Sequence, residues 1–200
     1  MSTTTTKKHA RSWFPTGRAA GHERTLVQQM IGLRPLVDEF RTCAKRGRPL
    51  SVLDAGCAEG LIGMEMLKAG ASRLHGVELV PERVRDAQRL AIGDKRCTFE
   101  VGDLSTYQPT GLYDVVMALS ILHKLPDPSA ALRRLVEDVC DRLVVLRLPP
   151  GGPVVVDRRS NNVPHDLDAV LRSLGFNLEE ETEGHLGEWI GYWRAKKWIR

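Results

Sequence analysis

Long apolar runs, paired cysteines and internal repeats are all missing from this 200-residue chain. Its longest clear apolar run, residues 115–122, falls far short of the roughly 20 residues a membrane-spanning helix requires. No membrane partner is therefore expected. The four cysteines stand at 43, 57, 97 and 140, and none forms a Cys-x-x-Cys pair. That spacing argues against a zinc site and against a disulfide framework, and reduced thiols inside a cell are the economical expectation. The opening Met-Ser-Thr-Thr-Thr-Thr-Lys-Lys lacks the apolar segment of a signal peptide, so a cytoplasmic location is expected. What remains is an ordinary globular composition, 42% apolar and 27% charged, with length enough for one core. Residues 1–21 read as an N-terminal arm, polar at its start, and 22–200 as one domain.

Negative charge is scarce at the start of the chain. Residues 1–50 hold ten Lys/Arg against three Asp/Glu, for +7, and residues 51–200 hold nineteen against twenty-two, for −3. A basic N-terminal segment suits phosphates or another anionic acceptor, and equally a solvated helix face.

Residues 51–60, Ser-Val-Leu-Asp-Ala-Gly-Cys-Ala-Glu-Gly, carry the most information. An apolar run ends in Asp54, a glycine-containing turn follows, and a helix-forming stretch comes next. The next apolar run, Leu74-His-Gly-Val-Glu78, also ends in an acid. This is a strand–loop–helix–strand unit suited to a nucleoside. Gly56 and Gly60 allow close approach to the backbone, and Glu78 at its strand end can accept hydrogen bonds from both ribose hydroxyls. A dinucleotide fingerprint fails at its third small position, occupied by Leu61, and no Gly-Lys-Ser/Thr of a Walker loop is present.

Asp54-Ala-Gly56-Cys57-Ala58-Glu-Gly60 instead resembles the first motif of the class I S-adenosylmethionine-dependent methyltransferases, Asp-x-Gly-x-Gly-x-Gly, with Ala58 in place of the middle glycine. Cys97-Thr-Phe-Glu-Val-Gly-Asp103-Leu104 resembles the family's third strand, and Tyr113-Asp-Val-Val-Met-Ala-Leu119-Ser120-Ile-Leu-His123 its fourth. The resemblance spans about residues 50–148. It implies S-adenosyl-L-methionine as cofactor, with Asp54, Gly56, Cys57, Ala58, Gly60, Glu78, Leu79, Asp103, Leu104, Leu119 and Ser120 around it. In the family the acid matching Asp103 accepts the adenine amino group.

Patterning agrees with an α/β fold. Residues 22–46 are helical in period with a kink or second start at Pro35, and helices are expected near 60–69, from Pro81 to about Ala91, over 129–142 and over 167–174. Strands are expected near 50–55, 73–79, 97–101, 113–119 and 143–148. Pro149-Pro-Gly-Gly-Pro153 opens an irregular stretch to Pro164, with a short strand at 154–156. Residues 176–183 and 189–198 read as an antiparallel hairpin. The expectation is a single-domain Rossmann-like methyltransferase fold: a mostly parallel seven-stranded sheet, helices on both faces, closed by the C-terminal hairpin.

Methyl transfer from a sulfonium needs alignment more than a protein nucleophile or a metal, and no metal is expected. His123, just past the fourth strand, is the candidate base; a structural role in its turn is the alternative. Arg158, Arg159 and Arg18 are candidates for an anionic acceptor, because guanidinium forks match carboxylates and phosphates. A small-molecule acceptor methylated on oxygen or nitrogen is the first expectation. RNA is the second, and a cofactor-binding module without transferase activity the third.

Overall fold

The computed structural model describes residues 25–156 and 163–198. Arg18, Arg158 and Arg159, with the arm over 1–21, lie outside the described residues. In chain order the elements are α1 Leu26–Met30, α2 Arg34–Lys45, β1 Ser51–Ala55, α3 Leu61–Lys68, β2 Arg73–Glu78, α4 Pro81–Leu90, β3 Cys97–Val101 and β4 Tyr113–Leu119. There follow α5 Pro128–Val136, β5 Cys140–Leu148, β6 Val154–Val156, β7 Pro164–Asp166, α6 Leu167–Ser173, β8 Phe176–Glu183 and β9 Trp189–Ala195.

Seven strands form one sheet in the order β3-β2-β1-β4-β5-β9-β8. The first five are parallel, and β9 runs antiparallel between β5 and β8. This is the expected fold. Alternate residues of each strand face opposite sides, so two apolar cores form. Leu53, Val116, Val144 and Trp193 meet Leu132, Leu135 and Leu171 of α5 and α6 on one face. Val52, Met117 and Val145 meet Leu36, Phe40 and Met66 of α2 and α3 on the other. Asp114 of the Tyr-Asp pair works at the far edge from the strand ends: its Oδ2 accepts from both the amide and the hydroxyl of Ser51, each at 2.7 Å, stapling the starts of β1 and β4.

The helical stretch before β1 is two helices. Its break falls at Gly32, at φ +77°, where a Cβ would meet the Glu183 carbonyl oxygen at 2.6 Å. The Gly32 carbonyl accepts from Tyr192 Oη at 2.5 Å and Thr182 Oγ1 at 2.8 Å, which fixes the break to the C-terminal hairpin. Pro35 sits in the first turn of α2, where its missing N–H costs nothing. A capping box between Thr25 and Gln28 starts α1 and leaves Gln29 buried against the sheet end.

Three boundaries differ from the expectation. The helix anticipated over 129–142 ends at Val136, because Asp138 turns at φ +58° and Cys140 already opens β5. The stretch after Pro149 contains a strand pair, since Val154–Val156 lies antiparallel to Pro164–Asp166. The final strand stops at Ala195, and Lys196–Trp198 form a 3-10 turn. Among the described residues no helix is long and apolar enough to cross a membrane.

Candidate active site

Strand order reverses between β1 and β4, and in open α/β sheets the crevice beyond the strand ends at such a point receives ligands. A cavity of about 340 Å³ opens there, within the range of roughly 300–1,000 Å³ typical of small-molecule sites. Its walls come from two sets of elements. One set follows β1, β2 and β3: Asp54, Gly56–Glu59, Glu78, Leu79, Val80, Asp103 and Ser105. The other gathers Gln29 of α1, Ile62 of α3, Leu119–Ile121 after β4, Lys124–Pro126 and Arg147 of β5.

The loop after β1 is held from beneath by β2. Gly56 and Cys57 both donate to the Val77 carbonyl, at 2.8 and 3.0 Å. Ala58 lies at φ +49° and donates its N–H to Glu78 Oε2 at 3.1 Å, while Glu78 Oε1 accepts from the Val80 amide at 3.0 Å. Glu78 thus orders both the loop after β1 and the turn after β2. A carboxylate offers about four lone-pair positions, so these two bonds leave acceptor capacity. Gly56 and Gly60 have packing reasons of their own. At φ +81° and +75°, their added Cβ atoms would meet Ile121 at 2.9 Å and the Phe99 ring at 2.7 Å.

Three buried carboxylates, Asp54, Glu59 and Glu78, line this half of the cavity, and buried Arg147 lines the other. Burial pushes the Asp54 carboxyl up to about 7, with help from the negative charge of Glu78; the Gly63 backbone and Arg147 pull the other way. Burial likewise holds the Cys57 thiol well above its ordinary value, so Cys57 packs as a neutral side chain. Asp103 behaves oppositely: exposed, and bonded by the Ser105 side chain and then by the Ser105 amide at 2.8 Å, its carboxyl is held low. Leu79 is 60% exposed, an apolar surface on the wall directly after Glu78.

The cavity therefore brings together Asp54, Gly56, Cys57, Ala58, Glu78, Leu79, Asp103, Leu119 and Ser120 of the residues singled out in the sequence. Gly60 and Leu104 stand behind it, Gly60 against Phe99 and Leu104 in the core. His123 occupies the 3-10 turn Leu122–Lys124, half-buried, and the geometry does not place it on the cavity wall, although Ile121 and Lys124 are there. The sequence reading did not single out Gln29, Glu59, Arg83, Ser105, Lys124 or Arg147. Glu59 was in plain sight inside the loop motif; its Oε1 lies 3.7 Å from Arg83 Nε of α4.

A family model described as a methyltransferase domain matches residues 52–140, the stretch that builds β1 to β4 and α5. Over this stretch the chain is similar to the S-adenosylmethionine-dependent methyltransferases, the family its sequence motifs resemble. It is 25% identical to ajmaline N-methyltransferase of Rauvolfia serpentina over 173 residues, 82% of this chain and 57% of that protein. It is 36% identical to a ubiquinone biosynthesis O-methyltransferase of Xanthomonas oryzae pv. oryzae over 106 residues, 50% of this chain and 39% of the relative. The chain thus spans only about half of these curated relatives, or less. The magnesium protoporphyrin IX methyltransferase of Synechocystis PCC 6803, solved with SAH bound, shares the fold. Its TM-score is 0.62 at 23% identity, over 87% of this chain and 89% of that one.

Proposed function

We propose that this methyltransferase transfers a methyl group from S-adenosylmethionine to an oxygen or nitrogen of a small-molecule acceptor. The observation that carries this reading is the joining of Glu78 to the Gly56–Gly60 loop, at the reversal of strand order, around a cavity of ligand size. The residues present fit the cofactor. Asp54, buried on the cavity wall, sets up a negative field suited to a cationic ligand. Glu78 retains acceptor positions for ribose hydroxyls, and Leu79 offers an apolar surface to a flat ring. Asp103 is the acceptor for the ring's amino group. The cofactor, when bound, supplies the electrophilic carbon and a neutral leaving group.

The chain's own work is then binding, alignment and exclusion of water. The carboxylates on the β1–β2 side favour a positively charged ligand through the field they set up in a poorly solvated space. Leu119, Ser120, Ile121 and Gln29 bound the remaining volume, where an acceptor atom would be presented. Among the described residues the wall carries no histidine, so acceptors that need little help losing a proton suit it best. An anionic acceptor is part of the proposal; Arg158 and Arg159 stay candidates for it on sequence grounds alone.

The test is calorimetry with S-adenosylmethionine, S-adenosylhomocysteine and NAD, followed by detection of S-adenosylhomocysteine formed with a panel of small acids, amines and phenols and with RNA. Binding of both sulfur nucleosides without NAD, and turnover with a small acceptor, is the expected result. Turnover with RNA alone would replace the acceptor, and binding with no turnover on any acceptor would leave a binding module.

A further inference from the structure

We propose that Arg147, with Ser120 beside it, receives a carboxylate at the β4–β5 end of the cavity, carried either by the methyl acceptor or by the amino-acid tail of the cofactor. This rests on the methyl-transfer reading above.

Arg147 is the one charged residue in Leu143-Val-Val-Leu-Arg-Leu148, and it is 3% exposed. Burying a cation in a core strand is costly, and nothing in sheet pairing needs one at this register, opposite Leu119 on one side and Ile190 on the other. Its guanidinium is oriented by a 2.5 Å bond from Nη2 to the Gln29 carbonyl, and it lines the cavity. A guanidinium is planar and presents five N–H groups as a fork matched to a carboxylate.

Ser120 points to the same place. Its N–H donates to the Arg147 carbonyl at 2.9 Å, which holds the two residues side by side. It is a non-glycine residue at φ +62°, a conformation that costs free energy and recurs where a ligand must be met. Its Oγ is buried with no hydrogen-bond partner among the described residues. A strained residue with a buried, unsatisfied hydroxyl thus stands beside a buried guanidinium, and both residues line the cavity.

Charge places the ligand group at this end. The β1–β2 wall presents Asp54, Glu59 and Glu78 against one cation, Arg83 beside Glu59, and disfavours an anion, whereas Arg147 and Lys124 belong to the opposite wall. Ile62, Leu119, Ile121 and Leu125 around them keep the local dielectric low, which strengthens a charge-assisted bond. Arg147 also favours the charged form of Asp54. A role limited to that counter-charge is the competing explanation, and the experiment separates the two.

Calorimetry on the full chain compares S-adenosylhomocysteine with 5′-methylthioadenosine, which lacks the amino-acid tail, for the unmodified protein, Arg147→Met, Arg147→Lys and Ser120→Ala. A second arm titrates sodium benzoate and benzamide onto the S-adenosylhomocysteine complex. If the tail is the source, Arg147→Met reduces the preference for S-adenosylhomocysteine by roughly tenfold or more, as expected for loss of a forked ionic bond. If the acceptor is the source, that preference survives. The complex then binds benzoate over benzamide by roughly tenfold, a margin that Arg147→Met abolishes. Ser120→Ala lowers the same preference by a smaller factor in either case. Should Arg147→Met fail to fold, Arg147→Lys decides, because it keeps the charge and loses the fork: partial loss of the preference supports the proposal. A folded Arg147 variant with both preferences unchanged overturns it and leaves Arg147 as counter-charge to Asp54. Absence of S-adenosylhomocysteine binding to the unmodified protein overturns the functional reading itself, and this inference with it.

Discussion

The two walls of the cavity are built in different ways. The β1–β2 wall is made from consecutive residues of one loop, Gly56–Glu59, and from Glu78 twenty residues beyond Ala58, whose carboxylate binds that loop. The β4–β5 wall is made from side chains that meet only in the folded chain: Arg147 bonds Gln29 across a separation of 118 residues. The first wall is mostly backbone and acid, and it can be specified by a short motif. The second is side chain on borrowed scaffolding, and it can change without disturbing the first. A shared cofactor and divergent acceptors follow naturally from such a division.

If the first wall is one unit organised by Glu78, breaking it there should have the largest effect. On the proposed reading Glu78→Ala removes a charged acceptor for two ribose hydroxyls, and it also releases the Ala58 and Val80 amides. Charged hydrogen bonds contribute about 1.5–3 kcal/mol each, so cofactor affinity should fall roughly 100-fold by calorimetry. Glu78→Gln, which keeps one carbonyl acceptor, should lose less. Equal affinity in a folded Glu78→Ala protein would dissolve the division of the two walls.

Asp54 tests the electrostatics of the same wall. Its carboxyl is raised to about 7, first by burial and then by Glu78. A cationic ligand favours the ionised form, so binding should release protons near neutral pH, and affinity should rise as pH goes from about 6 to about 8. Asp54→Asn should weaken binding roughly tenfold at the upper pH, flatten the profile, and abolish the proton release seen between buffers of different ionisation enthalpy. Stability runs the other way. In the free protein the folded pKa lies above the unfolded value of about 3.9, so the folded state holds its proton longer, and the Asp54 contribution to stability declines as pH rises from about 4 to about 7 and is flat beyond. A pH-independent affinity in the unmodified protein would refute this account of Asp54.

Legibility in the sequence follows the same line. Asp54, the loop and Glu78 were readable because their relations are local. Gln29 was hidden, since a polar residue in a short helix carries no sign of what it will face. Arg147 did leave a sign, a lone charge in an apolar strand, but its meaning depends on the register that brings it beside Leu119. The alternation of strands and helices made a mostly parallel sheet with helices on both faces legible, and the family resemblance implied seven strands closed by a hairpin; the strand order itself is not written in the pattern. The end of α5 was not, because Val139 and Cys140 fit a helical face as well as a strand, and Asp138 turns at φ +58° without a glycine to announce it. Gly32 shows the same limit: its need for a missing Cβ is set by Glu183 and Ile190, more than 150 positions away.

His123 sharpens the comparison from the second wall. It sits in the 3-10 turn between Ile121 and Lys124 in sequence, with those two on the cavity wall, and an alignment mechanism assigns it no proton. His123→Ala should keep cofactor affinity, and its turnover should stay within about threefold of the unmodified enzyme across neutral pH; a general base would cost roughly 100-fold or more. A loss of that larger size, with binding intact, would put a base in the acceptor half and make that wall catalytic as well as selective.

The smallest expected effect concerns Ala58, where the family motif has glycine. Ala58 sits at φ +49°, a left-handed conformation costing a residue with a Cβ about 1–2 kcal/mol. Ala58→Gly removes that strain but frees the unfolded chain, which offsets about 0.5–1 kcal/mol. The net expectation is a gain of about 0.5 kcal/mol in unfolding free energy, read by denaturant titration. Because the first wall acts through the Ala58 N–H and not its methyl, cofactor affinity should stay within about twofold. Loss of stability in Ala58→Gly would mean that the methyl packs usefully in the loop. Loss of affinity with stability gained would mean that a strained loop is part of how the first wall meets its ligand.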